Sequence, residues 1–250
     1  MSSPPKVSVI TVVKNGATTI QQCIDSVNSQ SLRSEHLIID GLSTDGTVSI
    51  ARKNQDRVST IISEEDEGIY SAMNKGLELA SGEIVGFLNA DDIYEDHLVL
   101  ERVASIFENH RSEACYGDLV YVDRADISRV SRRWVAGDYK PSSFYWGWMP
   151  PHPTFFVLRS TYNRLGCFRQ DMGTAADYEL MLRFLLIHKI PCSYINSTLV
   201  RMREGGMSNS SIRNRIRANL KDRDAWRVNS VKPRIWTLFL KPIRKIVQWF

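Results

Sequence analysis

The chain has 250 residues, 43% of them hydrophobic and 24% charged, and its formal net charge is only +4. That length carries one large core, or one core with an appendage, and that composition excludes the disordered and collagen-like classes. The charge is uneven: residues 209–250 hold 11 Lys and Arg against 2 Asp, which leaves 21 basic and 26 acidic residues in 1–208. An acidic body with a basic tail points to an anionic partner for the tail, a membrane surface or nucleic acid. No apolar run approaches the ~20 residues of a membrane span. The polar start Met1-Ser2-Ser3-Pro4-Pro5 does not read as a signal peptide, and Cys23, Cys115, Cys167 and Cys192 lack metal-ligand spacing, as expected of reduced thiols in the cytoplasm.

Residues 6–92 alternate strand and helix patterns. Lys6 to Val13 reads as a strand, Lys14-Asn15-Gly16 as its turn, and Ala17 to Ser29 as a helix with Ile20, Cys23, Ile24 and Val27 on one face. A second strand, His36 to Asp40, ends in a carboxylate. The loop Gly41 to Thr47 follows, with Ser43, Thr44 or Asp45 able to cap the helix that runs to Asn54. Val58 to Ser63 is a third strand, Glu64 to Gly68 an acidic loop, and Ile69 to Ala80 a helix stopped by Ser81-Gly82. Alternation of this kind predicts a parallel sheet with right-handed crossovers. There is no Gly-x-Gly-x-x-Gly after the first strand and no Gly-Lys-Ser/Thr loop, which sets dehydrogenases and P-loop NTPases aside.

The fourth strand, Ile84 to Leu88, is short and wholly apolar, and it ends in Asn89-Ala90-Asp91-Asp92. Ligands of open parallel sheets bind beyond the carboxyl ends of the strands. Two adjacent carboxylates there would be relieved by a hard cation whose other positions are filled by phosphate oxygens. The plainer reading makes Asp92 or Asp96 the cap of the helix His97 to Phe107.

The second half changes character. Ala114 to Val122 and Ile127 to Val135 read as two strands around the turn Asp123 to Asp126, and Tyr139 to Pro153 as a loop dense in aromatics and proline. A strand at Thr154 to Leu158, a helix at Ala175 to His188, short extended pieces at Pro191 to Asn196 and Thr198 to Met202, and a flexible loop at Glu204 to Ser208 follow. A basic helix is expected over Ser211 to Val228.

Taken in order, Val7-Ser8-Val9-Ile10-Thr11, Ile39 to Thr47, Asp66 to Gly76, Ala80-Ser81-Gly82-Glu83, Leu88 to Asp92 and Ala176-Asp177-Tyr178 make this sequence resemble a family 2 glycosyltransferase of the bacterial surface-polysaccharide kind. The resemblance spans about residues 6–208 and implies the GT-A fold, a Rossmann-like, mostly parallel α/β sheet flanked by helices. Residues 1–208 would form that domain, its nucleotide-binding half over 6–92 and its acceptor half over 93–208, and residues 209–250 a C-terminal amphipathic helical tail. Two positions depart from the family pattern: Asn89 opens the Asp-x-Asp element, and Ser71 stands where many relatives have Asp.

What the resemblance implies about chemistry is specific. A sugar would pass from a nucleotide-sugar donor to a hydroxyl of a lipid-linked acceptor, with Asp91 holding Mg2+ or Mn2+, Asn89 toward the ribose and Asp92 bracing the site. Asp177 would be the base for the acceptor hydroxyl, giving inversion, with Glu179 behind it; its plainer reading is a helix-opening Asp. Asp40 suits the N3–H of uracil or thymine, or caps its own turn. Thr11, Val13 and Asn15 would line base and ribose, and Asp66 would meet the nucleotide. Lys75, Arg201 and Arg203 are candidate phosphate partners, Gly205 to Ser208 a lid, and His152 with Trp146 and Trp148 a wall of the acceptor pocket.

The tail speaks without the family. In Pro233 to Phe250, residues Ile243, Ile246, Val247 and Phe250 share one helical face and Arg244, Lys245 and Gln248 the other, with Ile235, Leu238 and Phe239 as a shorter stripe before Pro242. Trp236, Trp249 and the cations suit a bilayer surface, which makes an anionic cytoplasmic leaflet the expected partner, nucleic acid the poorer one, and a helix docked on the body the plain alternative. A nucleotidyltransferase and a non-catalytic nucleotide-sugar binder are the competing functions.

Overall fold

A computed structural model describes residues 6–109, 111–205, 221–237 and 240. Among the described residues nine strands form one sheet: β1 Val7–Val13, β2 Glu35–Asp40, β3 Thr60–Ser63, β4 Ile84–Phe87, β5 Ile93–Tyr94, β6 Ala114–Val122, β7 Val130–Trp134, β8 Phe156–Leu158 and β9 Cys192–Arg203. Their order is β3-β2-β1-β4-β8-β6-β9-β5, with β7 on β6. The first four are parallel, so Val13, Asp40, Ser63 and the Asn89–Asp92 tip all emerge at one edge. β8 runs antiparallel to both β4 and β6, and it joins this nucleotide-type half to the second half.

Helices α1 Ile20–Asn28, α2 Thr47–Lys53, α3 Ile69–Leu79, α4 Val99–Asn109, α5 Arg159–Leu165 and α6 Ala176–Met181 cover the sheet, and a π-turn over Leu182–Ile187 prolongs α6. Strand periodicity divides β1 between two layers. Ile10 and Val12 pack with Met73 and Leu77 of α3, whereas Val7 and Val9 pack with Cys23 of α1 and Val99 of α4. Gly76 permits the α3 approach, since a Cβ there would stand 2.4 Å from a methyl of Ile10.

The structure amends several sequence boundaries. The two extended pieces expected after Pro191 are one twelve-residue strand, β9, held parallel to β6 with register shifts at Gly117 and Asp118. Helix α5 was not legible, because Arg159 to Leu165 carries only Tyr162, Thr161 and Leu165 on its inner face. The aromatic loop is largely core: Phe144 and Trp148 are buried, and the Trp148 indole donates to Ala136 O at 2.8 Å.

The expected division at 208/209 runs through a shared core. Residues 221–228 are helical, and Trp226, fully buried, packs with the Tyr116, Phe144 and Phe184 cluster. Residues 206–220 and 241–250, with the expected lid residues Gly206 to Ser208 and the Ile243–Phe250 stripe, lie outside the described residues, as do Leu238 and Phe239.

Beneath α1, Thr11 Oγ1 and His36 Nε2 share a 2.9 Å hydrogen bond, both side chains fully buried. Burial lowers the His36 pKa from 6.5 to about 4. Below pH 6.5 the unfolded chain therefore takes up a proton that the folded chain refuses until about pH 4. This contribution is whole above pH 6.5 and is lost as the pH falls toward 4. The urea midpoint of the wild type should fall more steeply across that window than that of His36→Gln, as followed by fluorescence at stepped pH.

Candidate active site

At the tip of β4, the two carboxylates have different fates. Asp92 is fully buried. Its Oδ2 accepts from Asn89 Nδ2 at 3.2 Å and its Oδ1 from the Arg203 backbone N–H at 3.2 Å. Burial first, and the Asp91 charge second, push its pKa well above the usual carboxylate range. Arg203, 4% exposed at the end of β9, donates through its guanidinium to Asp91 O and to Gln22 Oε1. Asp91 itself is half-buried, and its carboxylate makes no hydrogen bond or ion pair with a described residue.

A metal at this tip would thus meet one available protein carboxylate, with Asn89 Oδ1 as a neutral neighbour. Among the described residues no group of three or more His, Cys, Asp or Glu could hold an ion. That donor set fits Mg2+ or Mn2+ completed by phosphate oxygens and water, and fits poorly an all-protein cage. The helix cap that Asp92 might have supplied comes from Asp96, which accepts from Leu98 N–H at 2.8 Å and pairs with Arg102.

Across the edge, Asp40 serves its turn and keeps one oxygen free. Its Oδ2 accepts from Ser43 N at 2.9 Å and Ser63 Oγ at 2.7 Å, while its Oδ1 is buried without a partner. Asp66 has the same form: Oδ1 takes the Lys75 ammonium at 2.6 Å and Oδ2 is buried and unpartnered. Gly41 separates the two, and a Cβ there would reach 3.5 Å from Asp66 Oδ2. Asn15, exposed at positive φ, accepts from Thr44 N–H at 2.9 Å and stitches the loop after β1 to the loop after β2. Asp45 accepts from the N–H of Thr47, the first residue of α2, at 3.0 Å.

The side chains of two expected lining residues are buried. Thr11 and Val13 share the strand face that looks under α1, where Thr11 meets His36 and Val13 packs with Ile20, Ile24 and Ile38. The three candidate phosphate cations are also occupied. Lys75 bridges Asp66 and Glu64, each at 2.6 Å, Arg201 pairs with Glu95 at 2.8 Å, and Arg203 braces the tip.

Asp177 opens α6, its Oδ1 accepting from the Tyr178 N–H at 2.8 Å. It is placed between the halves. The Tyr70 hydroxyl of α3 donates to it, and burial, then the Asp177 charge, holds that phenol protonated far above its ordinary range. His152 is near on the other side, its pKa lowered by burial against the pull of Asp177. The His152 ring stacks 6.1 Å from Phe87, and its Nε2 is buried without a partner. Glu179 is excluded as a substitute base: 1% exposed, it is forked by Arg183 at 2.9 and 3.1 Å and takes Asn229 Nδ2 at 3.1 Å. A cavity of about 200 Å³ lies beside this site, lined by residues 67–71 and by Gln170, Gly173 and Thr174.

Sequence reasoning missed Tyr70, Gln22 and the docking of the C-terminal helix on α6. Tyr70 adjoins the noted Ser71, and its place in Asp66–Gly76 was the one available signal. Arg203 and Gln22 lie 181 residues apart, so nothing local could pair them.

A mixed α/β sheet flanked by helices, parallel in its first half, is the GT-A fold of glycosyltransferases. The family model described as Glycosyl transferase family 2 matches residues 8–169, and the chain belongs to that family. A PGL/p-HBAD biosynthesis glycosyltransferase of Mycobacterium bovis is 28% identical over 214 residues, 83% of this chain and 81% of that one. An uncharacterized glycosyltransferase of Mycobacterium tuberculosis is 32% identical over 196 residues, covering 75% and 71%. Among solved structures, S. aureus TarS 1-349 in complex with UDP-GlcNAc superposes with a TM-score of 0.69 at 17% identity, over 90% of this chain and 65% of that one. The mannosyltransferase PcManGT of Pyrobaculum calidifontis, in complex with GDP-Man and Mn2+, gives 0.67 at 21% identity, over 97% and 68%. The chain is a glycosyltransferase enzyme, and the nucleotidyltransferase and non-catalytic alternatives fall away.

The helix that carries Asp177 is held from outside the matched region: the Trp226 indole donates to Tyr178 OH at 2.9 Å. Trp226→Ala should cost about 3–5 kcal/mol, the usual range for emptying a buried aromatic site. Urea unfolding of the full chain reads the loss.

Proposed function

We propose that this enzyme moves a sugar from a UDP-linked donor to a hydroxyl of a lipid-linked glycan acceptor, with inversion, in cell-surface polysaccharide synthesis at the inner face of the membrane. The observation that carries the reading is the pair of buried, unpartnered carboxylate oxygens, Asp40 Oδ1 and Asp66 Oδ2, on either side of Gly41. A buried acceptor without a donor is costly, and a ligand that brings N–H or O–H groups removes the cost. Uracil offers one imide N–H for Asp40 and ribose offers hydroxyls for Asp66, whereas cytosine has no N–H at the ring nitrogen. The nucleotides bound by TarS and PcManGT support a nucleotide-sugar donor here, and the GDP-Man of the second leaves the base to be tested.

Asp91 would hold Mg2+ or Mn2+ against the diphosphate, and the ion, when bound, supplies positive charge to the leaving nucleoside diphosphate. Asn89 and Asp92 keep that tip in place. Asp177 takes the acceptor hydroxyl proton while the acceptor oxygen bonds to the anomeric carbon and the carbon–diphosphate bond breaks, its electron pair leaving with the diphosphate. Attack from the side opposite the leaving group inverts the centre. Tyr70 orients Asp177 by donating to it, and the carboxylate awaits a hydroxyl that becomes acidic only as the bond forms.

Two substitutions separate binding from chemistry. Asp91→Asn should keep the thermal midpoint of the free protein and lose the further stabilisation that Mn2+ adds in the presence of UDP. Asp177→Asn should bind UDP and Mn2+ like the wild type while sugar transfer falls by roughly 10²–10⁴, the usual worth of a general base. Donor binding that collapses with Asp177→Asn would move the base elsewhere. Nucleotide panels of UDP, GDP and CDP in the same thermal assay test the Asp40 reading.

A further inference from the structure

One exposed apolar feature of the described second half is a platform built from segments ninety residues apart. Trp146, at the end of the turn Pro141–Trp146, is 48% exposed, and Trp236 is 42% exposed. Their rings lie 5.7 Å apart at 32°, and Ile235, 88% exposed, stands beside them in the chain. The platform is fixed from below. Buried Thr237 donates to Tyr145 O at 2.7 Å and accepts from the Arg234 N–H at 3.0 Å, and the Tyr145 ring packs at a tilt of 49° with its centroid 5.1 Å from that of buried Trp226. The Arg234 guanidinium lies over the Tyr145 and Trp236 rings at 5.4 and 5.6 Å, and Lys232 is exposed nearby in sequence.

We propose that this platform is a docking surface for an anionic lipid bilayer. Three observations favour lipid over other occupants. Paired indoles with an apolar body and a polar edge belong at the headgroup boundary, and an exposed isoleucine at the tip gains only where water is absent. Cations flank the rings, and the sequence continues from residue 241 through Lys241, Arg244, Lys245 and Trp249 without an acidic residue. The excess of 11 basic over 2 acidic residues in 209–250 sets two such copies against each other and draws an anionic surface.

The inference rests on the membrane location proposed above and deepens it. In the sequence, the basic tail alone is the expected membrane contact. Here a residue of the acceptor-side loop, Trp146, shares the contact, so the body itself is seated on the bilayer in one orientation.

Sedimentation of the full chain with phosphatidylcholine vesicles, with and without phosphatidylglycerol, tests it. The wild type should bind the anionic vesicles. Trp146→Ser/Trp236→Ser should bind them roughly tenfold more weakly or worse, since it removes most of the apolar contact area. Thermal stabilisation by UDP should stay unchanged. Ile235→Glu, at a side chain with nothing to unfold, should weaken binding in the same direction.

Equal binding by the wild type and the double variant overturns the platform. If, in addition, removal of residues 241–250 abolishes binding, the tail anchors alone and the proposed location survives without the platform. A wild type that ignores anionic vesicles overturns both. Light scattering that shows a dimer lost in the double variant, with no vesicle binding by either, assigns the surface to a second copy and overturns the lipid reading.

Discussion

The arrangement depends first on one buried guanidinium. Arg203 ends β9 and reaches back to the carbonyl of Asp91 and to Gln22 of α1, while its own N–H meets the Asp92 carboxylate. A charged side chain 4% exposed is stable only where its donors are matched and opposite charge is near. Both conditions are met by the acidic tip. The tip in turn has two adjacent carboxylates that repel, and Asp92 can be withdrawn from solvent because Arg203 and Asn89 hold it. The result is a division within a dipeptide: the Asp92 carboxylate is held in the structure, and the Asp91 carboxylate makes no hydrogen bond or ion pair with a described residue.

That brace also fixes how the halves of the molecule meet. β4 carries the tip and β9 carries the arginine, yet two strands, β8 and β6, separate them in the sheet. A second clasp lies on the opposite layer, where Asn74 of α3 exchanges two hydrogen bonds with the backbone of Phe168, at 2.9 and 3.0 Å. Tyr70, Asp177 and His152 meet near one another from α3, α6 and the turn His152–Thr154. Pre-positioning of this kind lets a carboxylate act without first being ordered by its substrate.

The sequence was most informative where a single period governs. The parallel half was legible because buried strands and amphipathic helices alternate from Lys6 to Leu88, and the carboxylates at strand ends follow from that alternation. It was least informative about direction. Thr11 and Val13 sit at the correct end of the correct strand, but the period of two turns both under α1, and a one-residue difference in phase would have reversed this. Long-range partners were beyond reach for a different reason. Arg201 and Arg203 are two apart on β9 and look interchangeable as a string, yet one pairs with Glu95 and the other holds the tip. Glu179 likewise resembles a reserve base until Arg183 and Asn229 are seen to surround it.

The burial of Trp226 has a consequence for where this enzyme ends as a physical object. The family match stops at residue 169, and Asp177 lies beyond it together with Trp226 and Asn229, which hold its helix from the C-terminal side. A fragment trimmed to the matched region, or closed at residue 208, would leave Tyr178 and Glu179 without Trp226 and Asn229, and would open a large apolar hollow to water. Such a fragment would retain the nucleotide half of the sheet and fail as a soluble protein through self-association. The end of the family match and the boundary of the packed core are therefore different places in this chain.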